Sequence, residues 1–109
     1  MIVVDSGGVL ALLDRDHSLH GRLRTAFEAR PDEWVLPWAV LPEVDYVVAG
    51  RMGPRVARAF RSDLASGAWQ VEWGEPVDLA RARDIDERHA DLSLGLVDAI
   101  VMATAERLE

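Results

Sequence analysis

The sequence predicts an α/β fold built on a parallel sheet. Three short apolar runs, MIVV, EWVLP and AWQVEW, alternate with longer segments whose apolar residues recur at helical spacing. No two runs are joined by a hairpin turn, and strands that alternate with helices are typical of parallel βαβ units. One domain is the natural expectation for 109 residues. We therefore expect residues 1–109 to form a single three-layer domain, in which helices flank the sheet.

The elements of the first half have clear ends. The first strand covers Ile2–Val4, an unbroken apolar run that indicates a strand covered on both faces. The helix after it has Ser6 as its candidate N-cap. A second helix begins within DRDHSLHGRL and ends at Arg30, and the strand EWVLP stops at Pro37.

The second half continues the alternation. A third helix in AVLPEVDYVVAGRMG has Pro42 in its first turn, and a fourth covers Pro54–Ser66 and is closed by Gly67. The strand in AWQVEW is followed by a polar helix in EPVDLARARDIDERHADL and by an apolar helix in LGLVDAIVMATAERL. A βαβ design adds another strand at this point, so we expect the last strand or strands of the fold to be absent from this chain.

Composition and charge exclude several classes of protein. The chain has no cysteine, which excludes disulfides and thiolate metal sites and fits the cytoplasm. No apolar run approaches the ~20 residues of a membrane span, so we expect no membrane association. The net charge of −7 argues against a protein that coats nucleic acid through a basic face. An enzyme that meets nucleic acid through metal ions remains compatible with this charge.

The carboxylate at the end of the first strand is the first candidate functional residue. Asp5 follows the apolar run directly, at the end of the strand where open α/β sheets bind their ligands. Gly7 and Gly8 leave space beside it. A purely structural role, as a strand terminator or a helix cap, is the alternative for Asp5.

A second acid lies on the third helix. Val40 lies one turn before Glu43, and Tyr46 and Val47 lie one turn after it, on the same side. This spacing predicts that Glu43 projects along the apolar stripe that faces the sheet. No basic residue lies nearby in PWAVLPEVDYVVAG to neutralise it.

A third acid repeats the pattern on the last helix. Leu94 precedes Asp98 by one turn, and Val101 and Met102 follow it by one turn. No basic residue follows until Arg107. An ionised group on such an apolar helix is costly unless it is paired or coordinated, so we predict that Asp98 is semi-buried and functional.

Three such acids in successive α/β units predict a shared site. At ~5 Å separation and an effective dielectric constant near 20, each pair of carboxylates repels by roughly 3 kcal/mol, so a divalent cation or protons must compensate. All-oxygen ligands select Mg²⁺ or Mn²⁺ rather than zinc. A metal bound in this way is the usual apparatus for phosphodiester hydrolysis.

The segments MIVVDSGGVLALLD, LPWAVLPEVDYVV and ADLSLGLVDAIVMATAERL resemble the PIN-domain ribonucleases, and specifically the VapC-type toxins of bacterial toxin–antitoxin pairs. The resemblance covers essentially the whole chain in order and spacing. It implies that Asp5, Glu43 and Asp98 are the acidic catalytic and metal-site residues, with Asp91 as a further candidate. It also implies Mg²⁺ or Mn²⁺ as cofactor, cleavage of structured RNA such as tRNA or the ribosomal sarcin–ricin loop, inhibition by a VapB-like antitoxin, and a homodimer.

Two departures from the family pattern matter. The family usually has Thr-Ser or Thr-Asn after the first aspartate, whereas this chain has Ser6 and Gly7. The family also continues with a strand that ends in a fourth acid, and this chain ends at Glu109 before that segment. An alternative hypothesis is therefore a catalytically impaired VapC-like binding module that sequesters the antitoxin or a toxin partner. A haloacid-dehalogenase-like phosphatase is disfavoured because its second acid would stand at Gly7.

Other conspicuous residues have plainer interpretations. His17 and His20 fit a polar helix start better than a metal pair, and Asp45 points to another side of its helix than Glu43. The tryptophans come in pairs along the chain and are interpreted as core or interface anchors: Trp34 with Trp38, and Trp69 with Trp73. The arginines of residues 51–61 form either a solvated helix face or a contact for RNA phosphate or antitoxin.

Overall fold

The structure, a computed structural model that describes residues 1–109, has three strands and six helices in the predicted alternation. Short 3₁₀ turns at Pro31–Glu33 and Ala90–Leu92 precede the second strand and the last helix, respectively. The elements in chain order are β1 (Ile2–Val3), α1 (Ser6–Leu13), α2 (His20–Ala29), β2 (Trp34–Pro37), α3 (Val40–Met52), α4 (Pro54–Ser66), β3 (Val71–Glu72), α5 (Pro76–Arg88) and α6 (Gly95–Arg107).

The sheet is parallel, and its strand order is β1-β2-β3. Ile2 pairs with Trp34, and Leu36 pairs with Val71. The central strand β2 is buried along its whole length, as expected for a parallel strand covered on both faces. The prediction that the first strand is covered on both faces is wrong for Ile2, which is 39% exposed. The predicted α/β class and the parallel sheet are confirmed.

Two clusters of buried side chains hold the helices on the sheet. The larger cluster joins β1 and β2 to α1, α3 and α4, with Phe60 and Leu36 as its bulkiest fully buried members. The smaller cluster joins α5 to α6 through Ala82, Ile85 and Ile100. Val97 of α6 also packs against the larger cluster, so α6 is tied to both. The site residues are therefore carried on elements that share a core.

The first helix is capped by Asp5 and not by Ser6, so the predicted cap is wrong. Asp5 has extended backbone angles, and its Oδ1 accepts a hydrogen bond from the Gly8 N–H at 2.7 Å. Ser6 is the first helical residue, and its hydroxyl is buried without a hydrogen-bond partner.

Charged side chains fasten the carboxyl end of β3 to both α5 and α6. Arg107 Nε donates to Asp78 Oδ1 at 2.8 Å, and its Nη2 donates to Glu72 Oε1 at 2.7 Å. Asp78 Oδ2 also accepts from the Glu75 N–H at 2.9 Å. The hydrogen bonds from Arg107 outweigh burial and hold the pKa of Asp78 below its ordinary value. No helix in the chain has the length and apolar character that crossing a bilayer requires.

Candidate active site at the carboxyl edge of the sheet

The carboxyl ends of the three parallel strands define one edge of the molecule. Asp5 comes two residues after β1, and Glu43 lies in the first turn of α3, which begins shortly after β2. Asp98 lies in the first turn of α6, a helix that packs against both β1 and β2. The chain neighbours of the three acids, Val4, Val44 and Val97, meet in the larger core cluster. The backbone therefore places all three predicted residues on elements around this edge.

The backbone of Gly7 and Gly8 passes close to the carboxylate of Asp5. A Cβ at Gly8 would come within 2.8 Å of Val4 Cγ1 and 3.3 Å of Asp5 Oδ1. A Cβ at Gly7 would be 3.6 Å from the same carboxylate oxygen. Gly8 is thus required for the approach of α1 to Asp5, which agrees with the space predicted from the sequence. The structural role considered for Asp5, a helix cap, is present.

The predicted burial of Glu43 and Asp98 is wrong, because both residues are exposed. The buried stripe of α3 consists of Val40, Val44 and Val48, and Glu43 lies about 100° around the helix from Val44. The exposure of Tyr46, which is 82%, shows that this flank of α3 faces solvent. Apolar neighbours at helical spacing were therefore poor evidence of burial here.

On α6, too, apolar neighbours at helical spacing do not bury the acid, Asp98. The helix buries Ala99, Ile100, Ala103 and Thr104. Asp98 precedes Ala99 and therefore lies about 100° away from it, on the side opposite to Ile100. Helix α6 is apolar along most of its length, but the rest of the protein covers only one side of it.

The three acids do not form a closed metal site in this structure. No group of three or more His, Asp or Glu side chains is arranged to hold a metal ion. As donors, exposed carboxylates fit a hard divalent cation such as Mg²⁺, which prefers oxygen ligands and keeps several of its waters. The buried Ser6 hydroxyl beside Asp5 is a further oxygen without a partner. The donor chemistry fits the predicted metal, and the convergence of the three side chains remains a prediction.

The three acids have no ion-pair partner, in contrast to seven of the nineteen acids of the chain. Asp45, two residues after Glu43, accepts from Arg61 Nε at 2.6 Å and from its Nη2 at 3.0 Å. The hydrogen bonds from Arg61 lower the pKa of the Asp45 carboxyl. The predicted distinction between Asp45 and Glu43 therefore corresponds to a paired and an unpaired carboxylate.

The remaining candidates are placed as follows. Asp91 is exposed in the 3₁₀ turn before α6 and has no ion pair, and its role as a further metal ligand stays a prediction. His20 Nδ1 lies 2.8 Å from the carbonyl oxygen of Ala11, and His17 Nδ1 accepts from the Leu19 N–H at 3.0 Å. Both histidines thus have backbone partners, as expected for a helix start.

The tryptophans align across the two strands, which the sequence did not indicate. Pro37 pairs with Glu72, and the same register carried outward aligns Trp34 with Trp69 and Trp38 with Trp73, not the neighbours in sequence. Trp38 and Trp73 follow the last residues of their strands and line a cavity at the carboxyl edge. No local pattern in the sequence contains this pairing, because it depends on the register of β2 with β3.

Comparison with known proteins agrees with this architecture. The sequence profile of the PIN domain family matches residues 2–109. Ribonuclease VapC26 of Mycobacterium tuberculosis (strain ATCC 25618 / H37Rv) is 27% identical over 106 residues, which cover 97% of this chain and 78% of that protein.

A solved structure gives the same result for the fold. The crystal structure of Mycobacterium tuberculosis VapC20, a sarcin–ricin loop cleaving toxin, superposes with a TM-score of 0.85 at 24% sequence identity. The match covers 98% of this chain and 82% of VapC20. The resemblance stated from the three sequence segments is confirmed, and the chain belongs to the PIN domain family.

Proposed function

We propose that this protein is a metal-dependent endoribonuclease toxin of the VapC type, which hydrolyses a phosphodiester bond in structured RNA such as tRNA or rRNA. The observation that carries the proposal is the position of Asp5, Glu43 and Asp98. These acids lie on elements around one sheet edge, are exposed, and have no arginine partner. Membership of the PIN domain family and similarity to a named ribonuclease over nearly the whole chain support the same conclusion.

In this proposal Asp5, Glu43 and Asp98 hold Mg²⁺ or Mn²⁺, with Asp91 as a further candidate ligand. When bound, the ion supplies an oriented water and neutralises negative charge on the phosphodiester. Asp5 is held in place by its hydrogen bond to the Gly8 N–H. Glu43 and Asp98 are exposed on helices, so their side chains are free to turn towards a ligand.

The proposal extends to partners and location. A VapB-like antitoxin inhibits the protein, and the active form is a homodimer in the cytoplasm. The resemblance to VapC-type toxins supports the antitoxin and the dimer, and the absence of cysteine fits a reducing compartment. Co-expression with a neighbouring antitoxin gene, followed by co-purification and sedimentation analysis, tests all but the location.

The second candidate function is a catalytically impaired VapC-like module that binds an antitoxin or a toxin partner. It is favoured by one observation, namely that no three acidic side chains form a group able to hold an ion. The two candidates differ in whether RNA is cleaved.

The decisive experiment is RNA cleavage by the purified chain with Mg²⁺ or Mn²⁺, using tRNA and ribosomal RNA as substrates. We expect site-specific cleavage that is lost by at least 100-fold in Asp98→Asn and in Asp5→Asn. The asparagine variants keep the shape of the side chain, and asparagine is also a good N-cap, so helix α1 is preserved. Asp84→Asn is the matched control because Asp84 is an exposed acid paired with Arg83.

Cleavage that survives both site substitutions would exclude these residues as catalytic. No cleavage by the wild type, combined with tight binding of a VapB-like partner, would establish the binding module instead.

A further inference from the structure

A cavity of about 250 Å³ opens where β2 and β3 end. Its lining includes Trp38 and Trp73, the residues that follow these two strands, together with Gly74 and Ile100. Small-molecule sites in proteins commonly begin near this size and have mostly apolar walls with a few polar groups. The lining residues Glu75 and Asp78 supply the polar groups here.

The indole of Trp73 is unusual because it is 73% exposed. Large aromatic side chains usually bury most of their surface, and exposed ones are enriched where a partner binds. Its register neighbour Trp38 is half-buried and lies against Gly74, where a Cβ would come within 2.8 Å of Trp38 Nε1. Gly74 has a φ of +88°, a conformation that favours glycine. The cavity is therefore formed by one fixed indole and one that is open to solvent.

The cavity lies at the same sheet edge as the proposed catalytic acids. Asp5 follows β1, Trp38 follows β2 and Trp73 follows β3, and neighbouring strands are about 4.8 Å apart. Ile100 of α6 also lines the cavity, whereas Asp98 projects from the opposite side of that helix. The link between cavity and acids therefore runs through Asp5, and an RNA strand with a phosphate at Asp5 has its neighbouring nucleotides near the ends of β2 and β3.

The chemistry of the lining selects one kind of occupant. Unpaired RNA bases stack on aromatic side chains, and their Watson–Crick edges form hydrogen bonds with polar groups. Asp78 is engaged by Arg107, whereas Glu75, the N-cap residue of α5 in a capping box with Asp78, is exposed and forms no ion pair. A carboxylate accepts hydrogen bonds and therefore favours bases with an exocyclic amino group, such as adenine and cytosine, over uracil.

We propose that the Trp38–Trp73 cavity binds an unpaired nucleobase of the RNA, next to the bond that is cleaved, and prefers a base with an amino group. Trp73 stacks on the base, Trp38 closes the cavity, and Glu75 accepts a hydrogen bond from the amino group. This inference rests on the proposed RNA substrate, and it adds a specificity-determining site to it.

The test measures binding without cleavage. Fluorescently labelled eight-nucleotide oligo(A), oligo(C) and oligo(U) are titrated in the presence of Mg²⁺ with the Asp98→Asn protein, which is expected not to cleave them, and anisotropy is recorded. The substitutions below are made in this background. Trp73→Ala is expected to weaken binding about tenfold, because alanine substitution of a stacking residue costs ~1–3 kcal/mol per base. Trp73→Phe retains an aromatic face and is expected to stay within about threefold of wild type.

Two further variants sharpen the result. Glu75→Ala is expected to bring the ratio of oligo(A) or oligo(C) affinity to oligo(U) affinity close to one, because loss of the negative charge itself acts on all three oligonucleotides alike. Leu92→Ala is the matched control because Leu92 is 60% exposed and lies outside the cavity lining. Equal binding of all three oligonucleotides by Trp73→Ala and wild type would overturn the proposal. So would a dimer that Trp73→Ala dissociates without any effect on RNA, since a second copy would then cover the indole.

The two proposals fail separately. Loss of cleavage in Asp98→Asn without any Trp73 effect on binding removes the base site and leaves the nuclease. Binding that depends on Trp73, in a chain that cleaves no RNA with either metal, retains the base site and removes the nuclease.

Discussion

Both ends of the β2–β3 pair carry two tryptophans, but those at the amino ends pack into the core, whereas those at the carboxyl ends line an open cavity. At the amino ends, Trp34 is 6% exposed. The ring centroid of Phe27 lies 5.6 Å from that of Trp34 and 5.3 Å from that of Trp69. At the carboxyl ends, Trp38 and Trp73 are aligned across the two strands in the same way as Trp34 and Trp69. Trp73, however, is 73% exposed and lies beside an open cavity.

The difference lies in what covers each end. Aromatic rings from α2 and α4, Phe27 and Phe60, close the amino end into the core. The carboxyl end is held by the ion pairs of Arg107 with Asp78 and Glu72, which fix the backbone without covering the indoles. One end of the sheet thus contributes stability, while the other stays accessible, as is usual for ligand sites in α/β folds.

The largest effect should come from emptying the amino end. Trp34→Ala is expected to lower the free energy of unfolding by about 3–5 kcal/mol, since it removes a large buried ring and leaves a cavity. Trp34→Phe should cost less, because it also removes an indole N–H that is buried without a partner. Urea unfolding followed by circular dichroism measures both.

The matched substitution at the other end is Trp73→Ala, which should change the free energy of unfolding by less than about 0.5 kcal/mol because its ring is largely in water. Similar losses in Trp34→Ala and Trp73→Ala would contradict the division between the two ends.

A smaller effect is expected from the ion pairs at the carboxyl end. Asp78→Asn should cost about 2 kcal/mol at pH 7, because Arg107 would lose one of its two partners at a half-buried position. Arg107 lowers the folded-state pKa of Asp78 below its ordinary value of 3.8. The stabilisation is therefore fully present above about pH 4 and is lost as the pH falls through the folded-state pKa.

Urea unfolding between pH 7 and pH 2 checks the sign. Wild type should lose stability more steeply than Asp78→Asn on acidification, so that the two curves approach each other at low pH. Asp84→Asn, which disrupts the exposed pair with Arg83, should show little difference from wild type at any pH. A gap between wild type and Asp78→Asn that stays constant down to pH 2 would rule out this linkage.

An effect on stability of about half this size concerns Asp5 and separates its two roles. Asp5→Ala is expected to lower the free energy of unfolding by about 1 kcal/mol through loss of the cap, and Asp5→Asn by only a few tenths. Thermal unfolding measures this difference. Under the proposed function both variants lose RNA cleavage, so a variant that keeps its cap and loses activity would assign the carboxylate to chemistry as well as to structure.

Most of the fold was predictable from the sequence because its signals are local. Pro37 at the end of β2, Pro54 at the start of α4 and Gly67 in the left-handed conformation after it mark boundaries that the structure confirms. The parallel sheet followed from the alternation of strands and helices. Boundaries without such residues were less accurate, and α5 ends at Arg88 rather than continuing through ADL.

The placement of the three acids on elements around one sheet edge was predictable from the sequence, but their exposure was not. Periodicity identifies the side of a helix on which a residue lies, but not how far neighbouring elements cover that side. Glu43 and Asp98 flank stripes that are buried, yet they remain outside them. The pairing of Trp38 with Trp73 depends on the register of two strands separated by more than thirty residues, which no local pattern contains.

The cap on α1 has a consequence for Asp5 that reaches beyond helix stability. The Gly8 N–H engages Oδ1, and no side-chain or backbone donor engages Oδ2. The carboxylate is thus held in one rotamer, while Oδ2 stays available to a ligand from solvent. Because this side chain is already ordered in the free protein, part of the conformational entropy that ligand binding would otherwise cost has been lost beforehand. Asp5 is accordingly preorganised, whereas Glu43 and Asp98 must still be ordered when something binds.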